Sequence, residues 1–438
     1  MKKGTGFLLA VVLSAVLFVG CTEKDAGNQD TDVQPKEKEV LTIMLNGVQA
    51  NSYIEGTQEI IDEFNAENEY GVIIKPDFVS TNDYKEKLAS MMARDAQPDI
   101  IYTFELGYLE NYVNGGKIVS LQKYLDDDPQ WMESFYKGTL EQLTYDGEVY
   151  GIPTAQSMAV MYYNKKIFEK YHLQIPDTYE EYCQICDTLL ENGVTPAALA
   201  ATSQDAWLVS QYVQQLSNGI AGYELFRGLK NGTRSWNDTD MVEAARLFQE
   251  EIKKGYYEEN FTEADGMDAK ILFQTGGTAM FFTGTWEIPD FSDPEVCSEG
   301  GHIGCFMMPP VKAENRNISV GSLDNSYAIT TNCKNVEAAV EFLKFLTSKE
   351  SAEKLLYEYG RMPATSIEAD EERLSDLGKE VLALFEKQEA LTPWLDRVNT
   401  KLGNRFNNQC ILAAEGAEVQ TLFDTLQEAA GERNQQEE

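Results

Sequence analysis

The chain carries few of the side chains from which catalytic centres are built. Its 438 residues include two histidines, His172 and His302, and seven cysteines against 72 acidic residues. It contains no HExxH, GxSxG, Walker or GxGxxG motif. We therefore predict no metal site and no cofactor, and we assign no catalytic residue. A carboxylate-only centre, as in glycosidases, stays open, although no spacing among the acids singles out a pair.

The cysteines permit two local pairings. Cys183 and Cys186 have CxxC spacing, but the stretch from Tyr179 to Leu190 has helical periodicity and follows no strand. A redox motif of this kind usually follows a strand and a turn, which disfavours that function here. Cys297 and Cys305 flank a glycine-rich segment and could form a disulfide. The sequence leaves both pairings open.

The N-terminus has the pattern of an export signal. Lys2 and Lys3 precede an apolar run from Phe7 to Val19, and Gly20 and Cys21 follow; this predicts a signal peptide over residues 1–20. The end of the run resembles a bacterial lipobox, in which Cys21 is acylated and becomes the first residue, although Phe18 stands where Leu is usual. An ordinary signal peptide or an uncleaved anchor helix are the alternatives, but a membrane span needs about 20 apolar residues.

Composition and charge limit the partners. A formal net charge of −36 opposes binding to nucleic acid, which needs a basic surface. Residues 21–39 are polar and charged and predict a flexible tether. The rest of the chain is longer than a single core usually serves, so we expect two domains.

Beyond the tether, strand and helix patterns alternate. Apolar runs and helical stripes predict a strand from Val40, a helix over Thr57 to Phe64, a strand VIIKPDFV, a helix over Tyr84 to Met92 and a strand from Asp99 to Phe104. This alternation is typical of a parallel α/β sheet.

The remaining chain is richer in helices. After Gly151-Ile152-Pro153 we predict a strand over Met158 to Tyr163, mostly helix to about residue 275, apolar runs at Ala279 to Thr283 and Tyr327 to Thr331, and helices over Val336 to Leu346 and Ser351 to Tyr359. The last seventy residues predict helices with a break at Thr392-Pro393.

An ordered set of short segments runs along the chain from about residue 40 to 430. Its members are LTIMLNG at Leu41, QPDII at Gln97, GIP at Gly151, YYNKKIF at Tyr162, AMFFTGTW at Ala279, the segment Ser326 to Leu346, and GRMP at Gly360. Together they resemble the extracellular solute-binding proteins of carbohydrate ABC importers, the group that includes maltose-binding protein.

The resemblance implies an α/β fold of two lobes, the type II periplasmic-binding-protein fold, with each sheet flanked by helices and the ligand in a cleft at the hinge. The first lobe would hold residues 40–153 plus 320–362, and the second residues 154–319 plus 363–438. It further implies a monomeric, non-enzymatic receptor for a mono- or oligosaccharide. Such a receptor is lipid-anchored on the extracellular face of the cytoplasmic membrane and delivers its ligand to ABC permease subunits.

A sugar site needs aromatic faces for stacking and polar groups for hydroxyls. Trp286 follows the AMFF strand where members of the family place a stacking aromatic. Trp207 precedes a helix of the second lobe, and Trp394 follows Pro393 in the late break. These three are the aromatic candidates. Trp131 and Trp236 lie in polar, charged segments, so we expect them to be packing or surface residues.

Polar candidates come from strand ends, because ligands of open α/β sheets bind there. The candidate ligand-binding residues are Glu105, Gln49, Asn51, Gln156, Ser157, Asp324 and Asn325. Glu105 matches a sugar-binding carboxylate of the family or is a solvated residue at a helix start. Gln156 and Ser157 stand where the maltose-binding relative has a carboxylate, which argues against a maltose-type contact. The others could equally be turn residues.

Two other functions fit the sequence. One is a solute-binding protein for a peptide, an amino acid or a polyamine, since an acidic chain could hold a cation. The other is a surface-anchored glycoside hydrolase, which would need a pair of reactive carboxylates.

Overall fold

The computed structural model describes residues 38–47 and 52–434. The predicted signal peptide, Cys21, nearly all of the tether, Gln49 and Asn51 lie outside these residues. In the described part, no helix combines the length and the apolar character needed to cross a membrane.

The strands and helices alternate along much of the chain. The described residues form the strands β1 (Glu39–Asn46), β2 (Val72–Val79), β3 (Ile100–Thr103), β4 (Thr144–Tyr145), β5 (Glu148–Val149), β6 (Ile152–Asn164), β7 (Thr195–Ala198), β8 (Thr278–Gly284), β9 (Ile303–Phe306), β10 (Ile318–Ile329), β11 (Met362–Pro363) and β12 (Ala390–Thr392).

They also form the helices α1 (Ser52–Glu67), α2 (Thr81–Ala93), α3 (Gly107–Asn114), α4 (Gln122–Asp127), α5 (Pro129–Glu133), α6 (Lys165–Lys170), α7 (Tyr179–Glu191), α8 (Ala206–Ala221), α9 (Tyr223–Lys230), α10 (Thr239–Lys254), α11 (Gly266–Gln274), α12 (Ile288–Ser292), α13 (Val336–Leu346), α14 (Lys349–Tyr359), α15 (Asp376–Lys387), α16 (Leu395–Val398), α17 (Thr400–Ala414) and α18 (Val419–Asn434).

A single mixed sheet runs through the molecule in the order β2-β1-β3-β10-β6-β8-β7. The pairs at the two ends of this order, β1 with β2 and β7 with β8, are parallel, as strand-helix-strand units require. β10 is antiparallel to both β3 and β6, so the centre of the sheet departs from the predicted parallel pattern.

Two long strands pass between separate hydrophobic cores. The first core includes Ile152 of β6 and Tyr327 of β10, and it takes its members from residues 41–152 and 323–355. The second core includes Met161 of β6 and Val320 of β10. A further cluster covers the opposite face of β6 through Met158 and Val160. We call the level at which β6 and β10 pass from one core to the other the junction.

The second core contains a buried carboxylate. Glu251 of α10 is 1 % exposed and accepts hydrogen bonds from the hydroxyls of Tyr257 at 2.6 Å, Tyr179 at 2.7 Å and Tyr212 at 3.1 Å. Burial raises the pKa of Glu251 to about 7, and the three hydrogen bonds oppose that rise. The Glu251 carboxyl therefore gains or loses its proton close to neutral pH.

The cysteines of the described residues carry no disulfide. Cys183, Cys186, Cys297, Cys305, Cys333 and Cys410 are all free thiols. Cys183 and Cys186 lie in the middle of α7, as the helical periodicity predicted.

Candidate functional site

Four of the polar candidates meet at the junction. On β6, Gln156 lies opposite Leu323 of β10, and Ser157 lies opposite Ser322. The register of the pair shifts around Asp324 and Asn325, so these two residues occupy an irregular stretch of β10. β11 joins the same level, because Met362 pairs with Gln156. Three distant chain segments therefore meet beside these polar residues.

Asp324 has an arginine partner that the sequence did not suggest. Arg361 is 6 % exposed and its Nη1 lies 2.9 Å from Asp324 Oδ2. The main-chain oxygen of Asp324 accepts a hydrogen bond of 2.7 Å from the Tyr102 hydroxyl. Arg361 also lies over the ring of Tyr53, 5.2 Å from its centroid. Asp324 is thus held on both its side chain and its backbone.

Tyr53, which lies under Arg361, has a hydroxyl whose pKa is changed by burial. Burial raises the pKa of the Tyr53 hydroxyl to about 12, and hydrogen bonds to Tyr327 and Thr57 oppose the rise. Tyr53 therefore keeps its proton at neutral pH, as a donor or acceptor within the buried cluster.

Several buried polar atoms at the junction have no partner among the described residues: Ser157 Oγ, Asn325 Nδ2, Ser326 Oγ and Arg361 Nε. Leaving such an atom unpaired costs about 1–3 kcal/mol, so a concentration of them needs a compensating partner. Donors and acceptors of this kind suit the hydroxyls of a polar ligand.

The three candidate tryptophans form one row of neighbouring, tilted rings, which we call the tryptophan ladder. The ring centroids of Trp207 and Trp286 lie 5.8 Å apart, and those of Trp286 and Trp394 lie 6.1 Å apart. Trp207 and Trp286 are half-buried, whereas Trp394 is 4 % exposed. Since α8, the turn after β8 and the start of α16 each supply one ring, the ladder exists only in the folded chain.

A short 3₁₀ turn at Thr285–Glu287 presents Trp286. Gly284 precedes it without a side chain, and the Trp286 ring fills the space beside it. The Thr285 hydroxyl accepts a hydrogen bond of 3.3 Å from the Met158 main-chain nitrogen, and Glu287 lies 2.6 Å from Lys270 of α11. These contacts fix the turn on both sides of the tryptophan.

Glu105 lies at the end of β3, but its carboxylate is already engaged. Glu105 is fully buried, and Nη1 of Arg397 lies 2.9 Å from both of its carboxylate oxygens. The Arg397 guanidinium lies over the rings of Trp394, at 4.2 Å, and Phe104, at 4.6 Å. Burial alone would lower the pKa of Arg397, but the charges of Glu105 and Asp396 outweigh it and raise the pKa. The ladder thus continues through Arg397 to the end of β3.

The residue after Glu105 adopts a strained backbone. Leu106 has φ of +57° and ψ of −140°, a region that suits glycine. Its carbonyl accepts a hydrogen bond of 2.7 Å from the Tyr145 hydroxyl, and its side chain packs in the second core although Phe104 and Tyr108 pack in the first. Because of this backbone conformation, side chains from one short segment pack into both cores.

Gly107 allows a close approach beside it. A Cβ on Gly107 would lie 2.5 Å from the main-chain oxygen of Val398, so α3 and α16 touch through backbone at this point. The segment from Glu105 to Gly107 therefore brings the end of β3 into contact with the segment that carries Trp394 and Arg397.

The structure therefore groups the candidates in two adjoining sets. The tryptophan ladder and Glu105 form one, and Gln156, Ser157, Asp324 and Asn325 form the other. Trp131 and Trp236 pack away from both, since Trp131 Nε1 donates to Thr347 Oγ1 at 2.9 Å and Trp236 packs on Phe406. Gln49 and Asn51 lie outside the described residues.

Sequence reasoning missed both arginines. Arg361 lies within the GRMP segment, which contributes to the family resemblance but does not by itself indicate a binding residue. Arg397 is 292 residues from Glu105, and nothing local marks the pair.

Neither of two open surface depressions is lined by a candidate residue. One, of about 730 Å³, is lined by residues that include Phe64, Tyr70 and Glu341, and the other, of about 290 Å³, by residues that include Met132 and Tyr136. Within the described residues no group of three or more His, Cys, Asp or Glu side chains is arranged to hold a metal ion.

A mixed sheet that passes through two cores, with neighbouring aromatics and unpaired polar atoms where they meet, defines a two-lobed ligand-binding protein. The chain belongs to the bacterial extracellular solute-binding protein family, whose sequence profile matches residues 50–353.

Known proteins similar to this chain include several that are named for binding sugars. A multiple sugar-binding protein of Streptococcus mutans is 23% identical over 362 residues, 80% of each chain. An arabinooligosaccharide-binding protein of Bacillus subtilis is 24% identical over 376 residues, 82% of this chain and 79% of the relative. A solved chitin oligosaccharide binding protein, 23% identical, shares the fold with a TM-score of 0.84 over 91% of this chain and 99% of its own.

Proposed function

We propose that the protein is a receptor that binds a mono- or oligosaccharide at the junction, between two lobes, and delivers it to an ABC importer. The observation that carries this proposal is the tryptophan ladder beside unpaired buried polar atoms. Half-buried indole faces suit the C–H faces of a sugar, and the polar atoms suit its hydroxyls. The relatives that are named for sugars support the same ligand class.

The lobes of the proposal follow the two cores. We assign residues 40–153 plus 320–362 to the first lobe and residues 154–319 plus 363–438 to the second, with β6, β10 and the segment after β11 as the hinge. A ligand that contacts both lobes stabilises their closed arrangement by hinge motion. The permease then recognises the closed receptor.

The charges at the site favour a sugar over the other ligands considered. A polyamine needs unpaired carboxylates, but both candidate carboxylates, Glu105 and Asp324, face an arginine at 2.9 Å. A free amino acid needs partners for both of its charged ends, and these side chains are already paired with each other. A glycoside hydrolase needs one carboxylic acid and one free carboxylate, which this pairing does not offer. We therefore propose a non-enzymatic binding function.

A thermal-shift panel tests the ligand class. Monosaccharides, oligosaccharides, amino acids and polyamines are added to the detergent-purified chain, and the unfolding transition is followed. A ligand present at 100 times its dissociation constant adds about 2.7 kcal/mol of apparent stability. A shift with at least one sugar is the expected result, and a shift with polyamines or amino acids alone contradicts the proposal.

We also propose that Cys21 is acylated after removal of residues 1–20 and that the following residues tether the receptor beside its permease. A tether raises the effective concentration of receptor at the transporter without any new contact. Metabolic labelling with an alkyne fatty acid tests this, since label must enter the wild-type chain and not Cys21→Ser. Equal labelling of both chains contradicts the anchor.

A further inference from the structure

Arg397 keeps one edge available for a ligand. Its guanidinium carbon lies 4.2 Å from the ring centroid of Trp394 and 4.6 Å from that of Phe104. Its hydrogen bonds all leave from Nη1, to the Glu105 carboxylate and, at 3.1 Å, to the Leu323 main-chain oxygen. Within residues 38–47 and 52–434, no group accepts from Nε or Nη2, and the side chain is 14% exposed. The free N–H groups therefore lie at the end of the tryptophan ladder.

The charge of Arg397 is matched by the carboxylate that holds it. Glu105 is fully buried and lies at 2.9 Å, and Asp396 adds a second negative charge beside Arg397, so the group carries no net positive charge toward a ligand. The neighbouring cations are paired in the same way: Arg361 faces Asp324, and Lys270 faces Glu287 and Asp290. An anionic ligand would need an unmatched cation to replace its hydration.

Lys85 departs from this pattern. Its ammonium lies 4.9 Å from the centroid of Phe104, and no carboxylate in the described part of the chain forms an ion pair with it. Lys85 is exposed, so water and salt screen its charge. The net charge of −36 on the whole chain adds a field that repels anions.

We propose that Arg397 contacts the ligand as a hydrogen-bond donor, that Glu105 is its positioning residue, and that the pair selects a neutral sugar over an acidic one. This inference rests on the proposed function. A charge-matched guanidinium donates strongly to hydroxyl oxygens. A uronic acid placed at the same edge would bring its carboxylate close to the carboxylate of Glu105. Its carboxylate would also lose its hydration without an unpaired cation to replace that water.

Isothermal titration calorimetry with matched sugars tests the selection. Cellobiose is compared with cellobiouronic acid, in which a carboxylate replaces one CH₂OH group, and galactobiose with digalacturonic acid, in which carboxylates replace both. The neutral sugar that binds the wild-type chain is expected to bind at least about tenfold more tightly than its acidic counterpart, a difference of about 1.4 kcal/mol.

The variant Glu105→Gln removes the matching charge and keeps the shape of the side chain. The ratio of neutral to acidic affinity should fall by about tenfold. Glu110→Gln, the same change at an exposed position on α3, is the control and should leave the ratio unchanged. A purely structural role for Glu105 would lower both affinities equally and preserve the ratio, and that result overturns the inference.

Arg397→Lys provides a second test if Glu105→Gln does not fold. It keeps the charge and removes the fork of N–H groups, so the affinity for the neutral sugar should fall at least about tenfold. An unchanged affinity contradicts the role of Arg397.

The wild-type titrations separate the two proposals. If an acidic sugar binds as tightly as its neutral counterpart, the selection is wrong and the sugar receptor stands. If no sugar binds in these titrations or in the thermal-shift panel, the proposed function fails and the inference fails with it.

Discussion

The ring of Trp286 occupies the space that a side chain on Gly284 would need. A Cβ placed on Gly284 would lie 2.1 Å from the nearest ring atom of Trp286, well inside contact distance. Because the Thr285 hydroxyl and the Glu287–Lys270 ion pair fix the turn, the ring and not the backbone must move.

Gly284→Ala should therefore displace Trp286 and weaken sugar binding by at least about tenfold, while the fold is retained. Calorimetric titration with the sugar found in the thermal-shift panel measures the loss. Gly431→Ala in α18 is the control, since a Cβ at that position meets no atom within 4 Å. Equal affinity in the two variants contradicts the role of the glycine.

The tryptophans should separate into binding and packing residues. Trp207→Ala and Trp286→Ala remove half-buried rings of the ladder and should each lower the affinity at least about tenfold. Trp131→Ala removes a buried ring bonded to Thr347, so it should lower the free energy of unfolding by about 3–5 kcal/mol and leave the affinity unchanged. Urea unfolding and titration of the three variants make the comparison. Loss of affinity in Trp131→Ala alone would reverse the assignment.

At Leu106, a glycine variant should be more stable than an alanine variant, the reverse of the usual order. Both Leu106→Ala and Leu106→Gly lose the side chain from the second core, at a cost of about 2–5 kcal/mol. Only glycine relieves the backbone strain at φ of +57°, which costs about 1–3 kcal/mol. Urea unfolding should therefore find the glycine variant more stable than the alanine variant. The opposite order would show that the backbone there is unstrained.

Glu251 should make stability depend on pH. Its pKa rises from 4.5 to about 7 on folding. Below pH 4.5 both states are protonated; between pH 4.5 and 7 only the unfolded state releases its proton, so the free energy of unfolding falls, by about 3 kcal/mol in all. Glu251→Gln should remove this decrease, and Glu250→Gln, exposed on the same helix, should keep it. Identical pH profiles for the two variants contradict the assignment.

Elements with strong periodicity were predictable from the sequence. α13 has its predicted bounds of Val336 and Leu346, and β2 coincides with the segment VIIKPDFV, because the apolar pattern of each matches its burial. β10 was predicted only from Tyr327 but begins at Ile318, since Ser319, Ser322 and Asn325 have low strand propensity and owe their conformation to pairing with β6. β7 was missed within a stretch predicted as mostly helical.

The site was predictable in part. Trp207, Trp286 and Trp394 were selected one at a time, and their contact with one another follows from the tertiary fold. The pairing of Glu105 with Arg397 depends on α16 lying against α3, which no local pattern specifies. Whether each selected residue touches the ligand stays a prediction.

A crystal structure with the best-binding sugar tests the central claim most directly. The account predicts a sugar ring against Trp207 or Trp286, with hydroxyls bonded to Arg397 and to the unpaired polar atoms of Ser157 or Asn325. A sugar bound elsewhere, such as in the depression beside Tyr70 and Glu341, with the tryptophan ladder free of ligand, would contradict it.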